Sequence, residues 1–460
     1  MNTPNPNIAK QTLKNKKILV IGAGKSGQAA ASLTLQAGGS VILSDDKDKT
    51  QLSAISWLIE NSRVEFCNNF QIKDNLKNVD FAVISPGIPS NTDYVLYLQS
   101  KNIPIISELA FGASFVPCPY AAITGTNGKT TTSMLLGSMF VRAGFVSHVC
   151  GNIGFPISAA ALCAKAEDRA VVEVSSFQLE FPGLLHPKAA AILNITEDHL
   201  DRHGTMEEYI RLKNRIYINM EPDDFLVLNA NDKNIKSSVS TKADVFWFSS
   251  DGEVEQGAFL KGGRIYMRDG NKEHLLCNAD DIQMPGKHNL ENVLAASALA
   301  YLMEIPVPVI RYAVKTFVGA EHRIEFVREI KGAVYYNDSK ATNPDSTIKA
   351  IAAMQSPVIL IAGGYNKDTP FDSLAECIVK SNVKAVVLTG DTSQKIAETL
   401  KKYKFNDFVI AEDLNAAVLQ SKKLSKAGDV VLFSPACSSF DHFKNYEERG
   451  NCFKDIVNSL

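Results

Sequence analysis

The sequence has no apolar run long enough to cross a membrane, no C-x-x-C pair, no short-period repeat and no low-complexity segment. Each absence removes a class of function. Charge of both signs nearly balances, with 48 basic and 50 acidic residues and a formal net charge of −2, so neither a nucleic acid nor an acidic membrane is an expected partner. The eight cysteines (Cys67, Cys118, Cys150, Cys163, Cys277, Cys377, Cys437 and Cys452) are scattered, which argues against a disulfide framework and a structural zinc site and fits a reducing cytoplasm. Residues 1–17 are polar, and the first apolar run, 18–21, is too short for a signal-peptide core. The expected protein is soluble, cytoplasmic, monomeric and occupied with small molecules. What is present is apolar material in quantity: 45% hydrophobic residues over 460 positions suggest roughly three domains.

One stretch organises the rest: Tyr120-Ala121-Ala122-Ile123-Thr124-Gly125-Thr126-Asn127-Gly128-Lys129-Thr130-Thr131. Its spacing predicts a short buried strand, a glycine turn and a helix running through Met134, Leu135, Met139 and Phe140, with Gly144 at C′. Gly125 and Gly128 let successive N–H groups turn toward phosphate oxygens, and the helix N-terminus adds partial positive charge. Lys129 supplies a full charge and Thr130 a hydroxyl for Mg²⁺. The general phosphate-loop pattern, G-x-x-x-x-G-K-[ST], has its first glycine where this chain has Ile123, so the loop is a compressed variant. An ordinary strand-to-helix turn is the plainer alternative. The expected ligand is ATP.

Apolar strands alternate with helical stretches before and after this centre. Strands at 18–21, 40–43, 63–66, 81–84 and 103–106 predict a parallel, doubly wound, Rossmann-like sheet. Its first turn, Gly22-Ala23-Gly24-Lys25-Ser26-Gly27, is a G-x-G-x-x-G, and the pair Asp45-Asp46 ends the second strand about 20 residues on. That is a dinucleotide fingerprint, although the pyrophosphate of any nucleotide would suit the turn equally. A second turn, Ser85-Pro86-Gly87, closes another strand at the same edge. Pro117 and Pro119 mark a boundary ahead of the phosphate loop, and a third α/β rhythm begins near 320, with strands at 333–336, 358–361, 385–388, 408–410 and 430–433. The expected fold is α/β with three domains: an N-terminal Rossmann-like sheet (1–107), a central P-loop ATPase-like domain (108–319) and a C-terminal Rossmann-like domain (320–460). Short strands and turns over 223–281 read as a hairpin-rich insertion in the central domain.

Several clusters carry chemistry. Glu173 stands inside the otherwise apolar run 170–178, where it needs a cation or else faces outward on a half-exposed strand. Another apolar strand ends in Asn194-Ile195-Thr196-Glu197-Asp198-His199-Leu200-Asp201-Arg202-His203. His199 and His203 are spaced like a zinc pair, but no third soft ligand is near, and Mg²⁺ suits the cluster better. Thr205 and Glu208 form a capping box for a helix on which Lys213 projects into an apolar stripe with Tyr209, Ile210 and Ile216. Such a lysine either snorkels or works: desolvation favours the neutral amine, which can take up carbon dioxide as a carbamate, an oxygen ligand for Mg²⁺. Two further strands run into polar loops, Asn337-Asp338-Ser339-Lys340-Ala341-Thr342-Asn343 and 434–443, with Gly363-Gly364-Tyr365-Asn366-Lys367 between them. Lys340, Lys367, Thr342 and Ser439 could together hold a small anion. Cys437 reads as a packed cysteine.

Assembled, these segments resemble the Mur ligase family of ATP-dependent amide-forming enzymes over nearly the whole chain. The loop Thr124-Gly125-Thr126-Asn127-Gly128-Lys129-Thr130-Thr131 has the family's form, Ile123 included, and the loops at 337–343 and 434–446 are similar to those of its D-glutamate-adding branch. The resemblance implies ligation of D-glutamate to UDP-N-acetylmuramoyl-L-alanine through an acyl phosphate, with ATP, two Mg²⁺ ions and a carbamylated Lys213. It also implies roles. Lys25, Ser26, Asp45, Asp46, Lys47, Ser85, Pro86 and Gly87 would bind the UDP part, displacing the nicotinamide reading. Asn152, Ser175, Gln178 and His199 would face the rest of that substrate. Gly125 to Thr131, Asn289, Asn292, Arg323 and Asp338 would contact ATP. Lys340, Thr342, Lys367, Ser439 and the backbone at Tyr446 would hold D-glutamate. Thr130, Glu173, His199 and Lys213 would serve the metals, and Lys129, Glu173, His199, Lys213, Asp338 and Lys340 the chemistry. Close relatives carry arginine at Lys47 and phenylalanine at Tyr446; the first change costs a planar donor fork. The rivals are a sister ligase for another amino acid, an NAD-dependent oxidoreductase and a non-catalytic nucleotide sensor.

Overall fold

The apolar runs pair into three sheets in the computed structural model, which describes residues 13–48, 51–52, 55–284, 286–319, 321–365 and 370–460. The first sheet holds β1 (Lys17–Ile21), β2 (Ser40–Asp45), β3 (Val64–Asn68), β4 (Phe81–Ile84) and β5 (Ile105–Ser107). Its order is β3-β2-β1-β4-β5 and every pair is parallel. The order reverses between β1 and β4, so the Gly22 turn and the Ser85 turn flank the crevice where open α/β sheets receive ligands.

The central sheet contains β6 (Tyr120–Thr124), β7 (Ser147–Gly151), β8 (Arg169–Glu173), β9 (Ala189–Ile192), β10 (Phe225–Asn229), β11 (Asp244–Ser249), β12 (Gly257–Lys261), β13 (Arg264–Asp269) and β14 (Lys272–Asn278). The order β14-β13-β12-β11-β10-β9-β6-β8-β7 is parallel from β7 across to β12 and antiparallel only over β12, β13 and β14. The stretch 223–281 is therefore not an insertion throughout. Strands β10 and β11 extend the parallel sheet, because Leu226, Val227 and Leu228 are apolar on both faces, as a covered strand requires.

The third sheet, β15 (Glu325–Ile330), β16 (Ala333–Asn337), β17 (Val358–Ala362), β18 (Val383–Leu388), β19 (Phe408–Ile410) and β20 (Val430–Phe433), is ordered β15-β16-β20-β17-β18-β19. Only the β15–β16 pair is antiparallel. The fold is thus α/β with three domains. By contacts it forms two compact units, Met1–Asp281 with Glu291–Lys315, and Ile282–Leu290 with Thr316–Leu460. The first unit carries the first two sheets, which meet through the helices Glu108–Ala113 and Ile157–Cys163. Gly112 lets them close: a Cβ there would lie 2.5 Å from the backbone nitrogen of Ser158. Glu108 accepts that N–H at 2.8 Å. Among the described residues, no helix is long and apolar enough to cross a membrane.

Candidate active site

Strand β6 delivers the phosphate loop to the carboxyl edge of the central sheet, and the helix Lys129–Arg142 leaves it. Gly125 (φ 151°) and Gly128 (φ 87°) adopt backbone conformations that side chains disfavour, and Gly144 (φ 93°) follows the helix end as expected. The Lys129 ammonium folds back onto the loop, donating to the carbonyls of Gly125 (2.8 Å) and Thr126 (2.9 Å). A Cβ at Gly128 would lie 2.2 Å from Oδ1 of Asn292, so that amide packs directly on the turn. From the exit of β9, Asn194 accepts the Asn127 N–H on Oδ1 (2.8 Å) and donates from Nδ2 to the Asn127 carbonyl (3.1 Å). Nothing in the motif had assigned Asn194 a part; its only signal was an amide placed where an apolar strand gives way to charge.

Lys213, on the helix Met206–Asn214, does not snorkel. It is 1% exposed, donates to the Gly125 carbonyl at 2.9 Å and lies 4.5 Å from the centre of the Tyr209 ring. Two lysine Nζ atoms thus converge on one carbonyl. Burial, and then the nearby Lys129 charge, pull the Lys213 amine well below its ordinary pKa, toward the neutral form that reacts with carbon dioxide. Tyr209 also reaches the loop, its hydroxyl 3.3 Å from Oγ1 of Thr126. The capping box is only half made: Thr205 accepts the Glu208 N–H at 3.2 Å, but the Glu208 carboxylate goes to Arg211 at 2.6 and 2.7 Å.

Glu173 ends β8 beside Ile123 of β6 and is 2% exposed. Oε1 accepts from Nδ2 of Asn152 at 2.9 Å, while Oε2 is buried without a hydrogen-bond partner. An orphaned carboxylate oxygen beside a phosphate loop fits a divalent cation. His199 (φ 54°) is half exposed next to Asp198, 3.5 Å away. His203 turns elsewhere, to Oγ of Ser176 (3.0 Å) and a stack with Tyr209 at 5.3 Å, and desolvation lowers its pKa. The two histidines form no zinc pair, and no cluster of three metal-ligating side chains exists among the described residues. Ser175 and Gln178 bond each other at 2.9 to 3.3 Å.

At the first sheet, Asp45 is engaged by its own surroundings, accepting the N–H of Ala23 (2.7 Å) and of Lys47 (2.9 Å), and Asp46 accepts from Asn69 (2.8 Å). A dinucleotide site would turn that first carboxylate to a ribose. Lys25 and Lys47 are exposed and Ser26 half-buried at the crevice. The Ser85-Pro86-Gly87 turn is tied to the central domain by Arg202, which donates to the carbonyls of Pro86 (3.3 Å) and Ile88 (3.2 Å) and pairs with Glu180 at 2.8 Å.

In the second unit, Asp338 follows β16 and is buried, accepting from Ser434 (2.7 Å) and from the N–H of Ile324 (3.3 Å). Desolvation pushes its pKa up to about 7, against the opposing pull of Ser434 and Arg323. The Lys340 ammonium lies 5.1 Å from the Tyr446 ring centre. Thr342 is half-buried and Ser439 buried; Asn289, also buried, lies near the start of the helix Lys287–Leu302. Nε of Arg323 is buried without a hydrogen-bond partner. Lys367 lies outside the described residues. The loops at 337–343 and 434–446 are joined by Arg449, whose guanidinium donates to Oγ and the carbonyl of Ser339 (3.0 and 2.7 Å) and to the carbonyls of Cys437 (3.0 Å) and Ser438 (2.9 Å).

These features define a class of α/β enzymes with a glycine-rich strand-to-helix loop on the central sheet and polar loops at the carboxyl edges of the flanking sheets. The chain belongs to the Mur ligase family: residues 16–107 match the Mur ligase MurD-like N-terminal domain, 123–300 the Mur ligase middle domain and 322–437 the Mur ligase glutamate ligase domain. It is 45% identical to a protein of Thermoanaerobacter sp. (strain X514) and 44% identical to one of Clostridioides difficile (strain 630), each named UDP-N-acetylmuramoylalanine--D-glutamate ligase; both matches cover 97% of this chain and 99% of the relative. Among solved structures, MurF ligase from Thermotoga maritima in complex with ADP shares the fold at a TM-score of 0.59 and 16% identity, over 98% of this chain and 97% of that one.

Proposed function

We propose that the chain is an ATP-dependent ligase joining D-glutamate to UDP-N-acetylmuramoyl-L-alanine in cytoplasmic peptidoglycan precursor synthesis. The reading is supported by the name its relatives bear along their full length. The observation in the fold that carries it is the convergence of Lys129 and buried Lys213 on Gly125, beside a glutamate with an unpartnered oxygen.

Under this reading the alanine carboxylate of the UDP substrate attacks the γ-phosphorus of ATP, and ADP leaves. Lys129 swings from its own loop carbonyls onto the transferring phosphoryl group, whose charge it offsets. The D-glutamate amine then attacks the acyl phosphate carbonyl, the amine proton is lost and inorganic phosphate departs as the amide forms. Buried Asp338, with a pKa near neutrality, is suited to hold or accept a proton in that half of the reaction. The residues that would hold Mg²⁺ are Thr130 and Glu173 at one position, and His199 with carbamylated Lys213 at a second. When bound, the ions would neutralise charge on the phosphates. Asn289, Asn292 and Arg323 would contact ATP; Lys25, Ser26, Asp45, Asp46, Lys47, the Ser85 turn, Asn152, Ser175 and Gln178 the UDP substrate; and Lys340, Thr342, Lys367, Ser439 and the Tyr446 backbone D-glutamate. The domains would divide as 1–107, 108–319 and 320–460, in a monomer.

The test is ATP-dependent phosphate release with UDP-N-acetylmuramoyl-L-alanine and, in turn, D-glutamate, L-glutamate, L-alanine and a diamino acid. Release with D-glutamate alone is expected. Release with another amino acid would keep the ligase and overturn the specificity; release with none, together with NADH binding, would favour an oxidoreductase.

A further inference from the structure

The phosphate loop of this chain has an isoleucine where the general pattern has its first glycine, and Ile123 is wholly buried within β6. The loop that follows is held from outside itself. That support comes from the exit of β9. The backbone carbonyl of Asn194 accepts the Thr126 N–H at 2.8 Å, and its side-chain amide closes a two-point ring on Asn127, 2.8 Å to the N–H and 3.1 Å to the carbonyl. One residue thus holds two consecutive peptide N–H groups of the loop. Gly125 is pressed against the same segment: a Cβ there would lie 3.0 Å from Cβ of Leu193 and 3.3 Å from the nitrogen of Asn194. Two residues on, Thr196 exchanges hydrogen bonds with Oγ1 of Thr126, donating its N–H and accepting on its carbonyl, both at 3.0 Å. The 194–196 segment is a splint along the loop.

We propose that Asn194 is the positioning residue of this phosphate loop, holding it in its phosphate-receiving shape in place of the missing first glycine, an inference that rests on the ATP site of the proposed function. The described hydrogen bonds of Asn194 all go to loop backbone. It acts through Asn127 and Thr126.

The test uses the full chain and two near-isosteric variants. Asn194→Leu removes both side-chain hydrogen bonds; Asn194→Asp keeps the acceptor for the Asn127 N–H but loses the donor and adds a negative charge next to the phosphates. Binding of MgADP, read by calorimetry, is expected to weaken about tenfold or more in Asn194→Leu. Asn194→Asp is expected to weaken it at least as much, with the larger loss at low ionic strength. The KM for ATP should rise in both while the KM for D-glutamate holds, and hydrogen exchange at the Asn127 amide should speed up in Asn194→Leu. ADP affinity of Asn194→Leu within about twofold of the parent, or a parallel rise in the KM of every substrate with a collapsed melting temperature, would overturn the proposal. The two claims separate cleanly: tight ADP binding without D-glutamate ligation overturns the proposed reaction, whereas unchanged ADP affinity in Asn194→Leu overturns only the splint.

Discussion

Replacing Glu173 with glutamine should make the ligand-free protein more stable and the enzyme nearly inactive. In the ligand-free fold Oε2 of Glu173 is buried without a partner, whereas Oε1 is satisfied by Asn152. Leaving a buried polar atom unpaired costs about 1–3 kcal/mol, and more when the group is charged. The amide keeps the Oε1 contact and puts an uncharged NH2 where Oε2 stands, still without a partner, so Glu173→Gln removes only the ionic part of that cost and should recover about 1 kcal/mol. For a domain of this size each kcal/mol corresponds to a rise of about 2–4 °C in melting temperature. If the orphaned oxygen exists to hold Mg²⁺, the order must reverse when the nucleotide is present. MgADP stabilises whatever binds it in proportion to the logarithm of its concentration over Kd, so the parent should overtake the variant as MgADP is raised. Turnover should fall by about 10²–10³-fold. The assay is a pair of melting curves, with EDTA and with MgADP, alongside phosphate release. A variant that is less stable than the parent in EDTA would refute the orphaned-oxygen argument, and one that keeps the same order in both buffers would refute the metal role.

Lys213→Ala should lower turnover about 10²–10³-fold while ADP affinity stays close to that of the parent, because Lys213 touches the loop through a hydrogen bond to the Gly125 carbonyl and not through a loop N–H that would face a phosphate. Short-chain carboxylates in the buffer should restore part of the activity by standing in for the carbamate, and a variant with full activity would remove the carbamate from the mechanism. A different signature is expected at Glu108, whose pKa burial pushes from 4.5 to about 7. Between those values the folded chain keeps a proton that the unfolded chain has lost, so stability falls as pH rises through this window and levels off above it. The full effect is on the order of 3 kcal/mol. Glu108→Gln retains an acceptor for the Ser158 N–H and cannot titrate, so its melting temperature should gain on the parent from pH 5 to pH 8. A difference independent of pH would mean that Glu108 ionises normally in the fold.

The residues proposed to touch ligands were largely legible, and those that hold them in shape were not. The phosphate loop, Glu173 in an apolar run and Lys213 in an apolar stripe are all marked by neighbours within a few positions, and apolar strands such as β4 and β17 announce themselves because both faces are covered. The stretch 223–281 was misread because its turn residues speak locally, whereas the pairing of β10 with β9 spans more than thirty residues of chain and leaves no local mark. The capping box failed in part for an electrostatic reason, since a bidentate carboxylate–guanidinium pair outcompetes a single hydrogen bond to the N-cap N–H. Arg449 sits in Glu447-Glu448-Arg449, which looks like an exposed salt-bridging turn; its clue was spacing, because Arg449, Phe453 and Val457 recur every four residues and are all buried on one helix face. Asn194 had no such clue, because its amide acts across 67 residues of chain. The Asn194 side chain works on backbone groups alone and Arg449 on three carbonyls besides Oγ of Ser339, and backbone groups, which every residue possesses, carry no side-chain signature. Such a residue becomes visible only once the fold has brought two loops together, and substituting it is the direct way to learn whether a motif's geometry belongs to the motif or to its surroundings.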